Sequence, residues 1–186
     1  MLVVNLFAGP GTGKSTFATR LFSELKVADI NSEYVSEYAK SVVWSGDLAK
    51  LSDQLYITAK QHQQLFRLNG KVDVAVSDSP LLLGVHYATP YYLGGTYTAM
   101  VRELFNQYDN LNIRLIRKKP YRAAGRLQTE EEARGIDRAV QIMLETENIP
   151  HITLDGTMDS IPEAIQIIKA ALSSRNGSVS TSTYTA

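Results

Sequence analysis

Short apolar runs alternate along this chain with longer stretches in which apolar side chains return every three or four positions. A continuous apolar run bounded by turn residues reads as a buried strand, and the longer spacing as an amphipathic helix. Leu2-Val3-Val4-Asn5-Leu6-Phe7 is the first such strand, and a helix over roughly 14–25 carries Phe17, Leu21, Phe22 and Leu25 on one side. A second strand is expected near 27–31, then a helix over Tyr34–Val43 and a longer one from about Asp47 to Leu68. Val72-Asp73-Val74-Ala75-Val76 is a third strand, ending at Ser77-Asp78-Ser79-Pro80. Residues 96–108 read as helix, Leu111–Ile116 as a fourth strand and Gln128–Glu147 as a charged helix. His151–Leu154 is a fifth strand and Ile161–Leu172 a closing helix. This alternation implies an α/β fold, a five-stranded parallel sheet with helices on both faces. Ligands in such sheets sit beyond the carboxyl ends of the strands. The glycine-rich segment after Phe7, Asp78 and Arg117 all fall at such ends.

Composition narrows the picture. The 186 residues are most simply one domain with an ordinary hydrophobic content of 44%. Formal net charge is zero, so the whole molecule is not an electrostatic nucleic-acid binder. The chain has no cysteine, which excludes disulfides, thiolate metal sites and cysteine nucleophiles and fits a reducing compartment. No apolar run approaches the roughly 18 residues a membrane helix needs, and residues 1–8 belong to a strand rather than a signal peptide. The expectation is a soluble, cytoplasmic protein with no membrane partner. Residues 173–186 are rich in Ser and Thr with almost nothing to bury, so residues 1–172 form the domain and 173–186 a flexible tail. Nothing in the pattern specifies an oligomeric state.

Ala8-Gly9-Pro10-Gly11-Thr12-Gly13-Lys14-Ser15-Thr16 joins the first strand to the first helix. This is the phosphate-loop pattern G-x-x-x-x-G-K-S/T in its strand-loop-helix context, with Ala8 in place of the first glycine. Gly11 and Gly13 let successive N–H groups turn inward around phosphate oxygens. The helix starting near Lys14 adds the positive end of its dipole. In this pattern Gly9, Gly11, Thr12, Gly13, Lys14, Ser15 and Thr16 cradle ATP. Lys14 reaches the β- and γ-phosphates and the Ser15 hydroxyl ligates Mg²⁺. The fold expected is therefore that of a P-loop NTPase.

Asp78 ends the most apolar strand after the first, where a carboxylate holds Mg²⁺ beside Ser15. The competing reading is an Asp that caps the helix beginning at Ser79-Pro80. Ser79 stands where hydrolytic motors place a water-activating Glu, and no N-K-x-D guanine-reading motif occurs. Arg114, Arg117, Lys118, Lys119, Arg122 and Arg126 follow without an intervening acid, and Arg134 and Arg138 lie on the next helix. Residues 117–134 read as an Arg-rich lid, with Arg117, Arg122 and Arg126 placed to stabilise the transferred phosphoryl charge. A solvated charged face is the alternative. After the second strand, Glu37 and, second to it, Glu33 are candidates to take the acceptor's proton.

These motifs, with Glu37-Tyr38-Ala39-Lys40 and the segment from Arg117 to Arg134, resemble small P-loop kinase-like proteins of tailed bacteriophages. They are similar to the ribosylnicotinamide-kinase domain of the bacterial NAD-biosynthesis regulator and more loosely to nucleoside and nucleotide kinases. The resemblance covers about residues 1–172. The related pattern has E-x-A-R where this chain has Lys40, which keeps the charge but not the bidentate fork. It implies a nucleotide-kinase-like Mg²⁺·ATP phosphotransferase, catalytic through Lys14, Glu37, Asp78, Arg117, Arg122 and Arg126, while Asp155-Gly156 either backs the adenine or forms a simple turn. A phage source would place it in the host cytoplasm. The acceptor is a nucleoside, a nucleotide or a nucleotide-like molecule, with a 5-hydroxymethylpyrimidine in phage DNA as a variant. Gln54 and Gln61 share a helix face, either reading a base edge or facing solvent, and the Tyr-rich segment 87–97 either stacks a base or packs as a loop. From another class, a non-catalytic ATP switch or slow ATPase regulating a partner keeps the loop but needs neither Glu37 nor the lid.

Overall fold

A computed structural model describes residues 1–89, 91–122 and 128–179. Among these, five parallel strands form one sheet in the order β2-β3-β1-β4-β5. The strands are β1 (Leu2–Phe7), β2 (Ser32–Val35), β3 (Val74–Ser77), β4 (Asp109–Ile116) and β5 (Ile152–Asp155). The helices are α1 (Lys14–Val27), α2 (Tyr38–Ser45), α3 (Leu48–Ser52), α4 (Gln54–Phe66), α5 (Leu83–Tyr87), α6 (Thr96–Asn106), α7 (Glu130–Thr146) and α8 (Ile161–Val179). β1 is central and buried throughout, which explains why its sequence is a nearly unbroken apolar run.

The pleat of β1 splits the core in two. Leu2, Val4 and Leu6 face α1 and α8, meeting Phe17, Leu21, Leu25, Ala164 and Ile168. Val3 and Phe7 face the other way, toward Leu65 of α4, Phe105 of α6 and Val140 and Leu144 of α7. With β3 and β4 on either side of β1, the strand order reverses at the carboxyl end of β1, the position at which such sheets open a ligand crevice.

Several boundaries differ from the sequence expectation, each for a local reason. The strand expected near 27–31 lies at Ser32–Val35. The residues before it close α1: Asp29 takes a left-handed φ of 58°, and the Ile30 N–H returns to the Leu25 carbonyl. The following helix accordingly starts at Tyr38 rather than Tyr34. The long helix expected from Asp47 to Leu68 is two helices, because Asp53 leaves helical geometry and its side chain caps α4 by accepting from the Tyr56 N–H. The helix read as beginning at Ser79-Pro80 is the short α5, which starts at Leu83 with Leu82 rather than Asp78 at its cap position. The closing helix runs to Val179 rather than Leu172; Arg175 is ion-paired to Asp109 at 2.8 Å, so part of the expected tail is helical. Residues 180–186 lie outside the described residues.

Ile168 packs in the α1/α8 core, remote from the loop after β1. Ile168→Ala is expected to lower the unfolding free energy by about 3 kcal/mol, measured by denaturant titration, with nucleotide affinity unchanged.

Candidate nucleotide and acceptor site

The loop after β1 has the geometry its sequence demands. Gly11 and Gly13 take φ of 77° and 107°, and Gly13 is the residue from which α1 starts. Ala8 is 3% exposed and sits in the α1-side core, so its methyl group is absorbed by packing. Its carbonyl accepts from Lys14 Nζ at 2.6 Å, and the Gly9 carbonyl accepts from the same ammonium at 3.1 Å. Burial lowers the Lys14 pKa, opposed by the nearby Glu37, Asp78 and Asp137 carboxylates. Half-buried, Lys14 is held at the floor of a loop whose N–H groups form a cradle for phosphate.

Asp137 of α7 was not singled out in the sequence. Its Oδ1 accepts from the Gly9 N–H at 2.6 Å and the Thr12 hydroxyl at 3.2 Å, and its Oδ2 accepts from Arg117 Nε at 2.7 Å. Arg117 Nη2 in turn donates to the Pro10 carbonyl at 2.8 Å. A Cβ on Gly9 would come within 2.6 Å of the Ala133 carbonyl, so only glycine lets α7 approach this closely. The signal was present: Ala133, Val140 and Leu144 form the buried stripe of α7, and Asp137 sits at helical spacing within it. Arg117 is thus a clamp on the loop, its side chain only 6% exposed, rather than part of an open lid face.

The other basic residues divide. Arg122 is exposed, and Arg126 lies outside the described residues. Arg134 pairs with Glu130 on the exposed side of α7, whose start is fixed by a Thr129–Glu132 capping box. Tyr121 lies against Gly11, and its hydroxyl donates to the Gln128 carbonyl. Asp155 is ion-paired to Lys118 at 3.2 Å. Gly156 donates its N–H to the Ile116 carbonyl at 2.8 Å and packs beside Thr12, which puts this turn next to the phosphate loop.

Asp78, 1% exposed at the end of β3, takes the Tyr34 hydroxyl on Oδ2 at 2.8 Å. Its Oδ1 has no hydrogen-bond partner among the described residues. A buried carboxylate oxygen left bare favours a cation. Mg²⁺ needs few protein ligands when phosphates and water complete its shell, so Ser15 and Asp78 fit it. No cluster of three or more metal-binding side chains occurs among the described residues, the lone His62 and His86 included.

A cavity of about 350 Å³ continues from the loop to α2–α5. Lys14, Ser15 and Thr16 line one side, and Glu37, at the start of α2, lines it too. Glu33 is ion-paired to Lys26 at 3.6 Å and is not among the cavity's lining residues. Gln54 and Gln61 both line the cavity rather than facing solvent. Gln61, 4% exposed, is already committed: it accepts from the Tyr38 N–H at 2.9 Å and donates to the Ser36 carbonyl at 3.2 Å, fixing the turn that presents Glu37. From the Tyr-rich segment, Tyr87 lines the cavity, whereas Tyr97 is buried and bonded to Thr58 at 2.7 Å.

A parallel sheet with a phosphate loop at the end of its central strand is the fold of P-loop NTPases and nucleotide kinases. Residues 3–160 match a family model described as an AAA domain, and the chain belongs to that family. A deoxyadenosine kinase from M. mycoides, solved with its product dCMP and a flexible dCDP bound, shares the fold. The match has a TM-score of 0.53 and 16% sequence identity, and covers 92% of this chain and 99% of that one. A search of curated proteins finds no match. No helix among the described residues is long and apolar enough to cross a membrane.

Two tests follow from the loop's electrostatics. Asp137→Ala leaves Arg117 buried without its anion and is expected to cost about 3–5 kcal/mol of stability, read by denaturation, with weaker binding of nucleoside triphosphate. Because a polyanion favours charged Lys14, triphosphate affinity should fall as pH rises through the lowered Lys14 pKa, before the ordinary lysine value of about 10.4. Lys14→Arg should remove this alkaline decline in a pH series of binding titrations.

Proposed function

We propose that this protein transfers the γ-phosphoryl group of Mg²⁺·ATP to a hydroxyl of a nucleoside-like acceptor. The observation that carries the reading is one continuous cavity faced by both the Lys14 loop and the Glu37 carboxylate. The acceptor oxygen attacks the γ-phosphorus, the bond from that phosphorus to the β,γ-bridging oxygen breaks, and ADP departs. Glu37 takes the proton of the attacking hydroxyl. Lys14 and the loop N–H groups hold the β- and γ-phosphates, and Arg117 keeps the loop in shape. Ser15 and Asp78 would hold Mg²⁺, which would supply charge neutralisation on the phosphate oxygens. Ser79 at the cavity wall offers a hydroxyl rather than a carboxylate, which disfavours activating water over the acceptor. Arg122 and Arg126 remain candidates for charge stabilisation from the lid, and the Asp155–Gly156 turn for backing the adenine.

The walls also speak to the acceptor's charge. Beyond Lys14, the described lining offers one cation, the exposed Lys40, and no arginine. A phosphomonoester acceptor calls for bidentate arginine or several cations. Val43, Leu51, Ile57 and Leu83 with the amide of Gln54 suit a neutral ring instead. The deoxyadenosine kinase with a similar fold supports a nucleoside in this role.

With γ-labelled ATP, label is expected on free nucleosides and not on nucleoside monophosphates or hydroxymethylated DNA. Slow release of free phosphate with no labelled acceptor would contradict kinase activity and support an ATP switch. Glu37→Gln should lower turnover by about 100-fold with ATP affinity retained in equilibrium binding; unchanged turnover would remove Glu37 from the mechanism.

A further inference from the structure

Tyr34 has a place in the site that neither its sequence context nor the phosphate-loop pattern assigns. It projects from the edge strand β2, where its Cα pairs with Val76 two residues before Asp78. Its ring packs against the core formed by Phe17, Val76 and their neighbours, so the ring position is set by packing. At its tip the hydroxyl donates to Asp78 Oδ2 at 2.8 Å. One hydroxyl therefore touches the carboxylate that, with Ser15, fits Mg²⁺.

A phenol carries one O–H donor, and here that donor is committed to the carboxylate. Donation to Oδ2 leaves Oδ1 of Asp78 as the bare oxygen and holds the carboxylate in one orientation. Groups that orient metal ligands in this way raise affinity without touching the metal.

We propose that Tyr34 is a positioning residue of the divalent-cation site, holding Asp78 in the orientation that, with Ser15, receives Mg²⁺ with the nucleotide. The proposal rests on the Mg²⁺·ATP reading above. Its signature is selective: Tyr34 strengthens nucleotide binding only when the cation is present, because the loop contacts of Lys14 do not pass through it.

The test compares binding of a non-hydrolysable ATP analogue to the full chain in Mg²⁺ and in chelator, for the wild type, Tyr34→Phe and Asp78→Asn. The expected result is wild-type binding that Mg²⁺ tightens and an effect lost in Asp78→Asn. In Tyr34→Phe the Mg²⁺ requirement should rise by about 10-fold or more, while binding in chelator stays unchanged. Equal Mg²⁺ requirements for wild type and Tyr34→Phe would overturn the proposal and leave the function standing. Equal weakening of Tyr34→Phe in Mg²⁺ and in chelator would show a packing role only, and would also overturn it. Wild-type binding indifferent to Mg²⁺ would contradict the Mg²⁺·ATP reading itself. A second measurement needs no variant: with 3-fluorotyrosine at position 34, adding Mg²⁺ to the nucleotide-bound protein should shift the fluorine resonance. An unmoved resonance would overturn the proposal.

Discussion

An ammonium drawn partly out of water at the end of the central strand sets the terms for the surrounding structure. Lys14 Nζ is held by the carbonyls of Ala8 and Gly9, and three carboxylates from separate parts of the chain offset its charge. Glu37 comes from the start of α2, Asp78 from the end of β3 and Asp137 from α7. The strand order, with β1 between β3 and β4, is what lets these distant segments converge on one lysine. A buried cation left without such partners would titrate to neutrality and lose its use as a phosphate anchor.

The surrounding elements fall into two groups, α7 against the loop and the short helices α2 to α5 around the cavity. On the loop side Asp137 and Arg117 tie together Gly9, Pro10 and Thr12, so α7 helps to set the loop's shape. Preorganisation of this kind is what electrostatic catalysis requires, since donors need not move as charge shifts. On the acceptor side short helices α2 to α5 build the wall, held by individual contacts such as Gln61 across the β2–α2 turn and Tyr92 donating to Asp53 at 3.0 Å. Exposed Trp44 and Tyr91 lie on α2 and in the segment before α6, away from the rigid sheet core.

Much of the fold was legible because β1 and the phosphate loop constrain each other. An apolar run followed by Gly9, Gly11, Gly13 and Lys14 has one common structural solution, and the alternating pattern after it supplied the parallel sheet. Boundaries failed where a single residue redirected the chain, as at Asp29 and Asp53, whose capping and left-handed conformations periodicity does not encode. Lys14, Glu37 and Asp78 could be singled out as candidates because each sits at a strand or helix terminus at the carboxyl end of the sheet. Asp137 was not, because it is a polar group within the apolar stripe of α7, and Tyr34 was not, because the pattern assigned it to a helix rather than to β2. Arg117 was placed correctly at the end of β4, but only the fold shows that Asp137 binds it.

The central claim is that donor and acceptor halves occupy one cavity, with the Lys14 loop and Glu37 on either side of the transferred group. It is tested most directly by calorimetry with a bisubstrate analogue, adenosine joined to a nucleoside through an oligophosphate bridge. If both halves are engaged together, the analogue should bind at least about 100-fold more tightly than ATP and exclude ATP and nucleoside alike. Affinity no greater than that of ATP, with free nucleoside still able to bind alongside, would contradict the account.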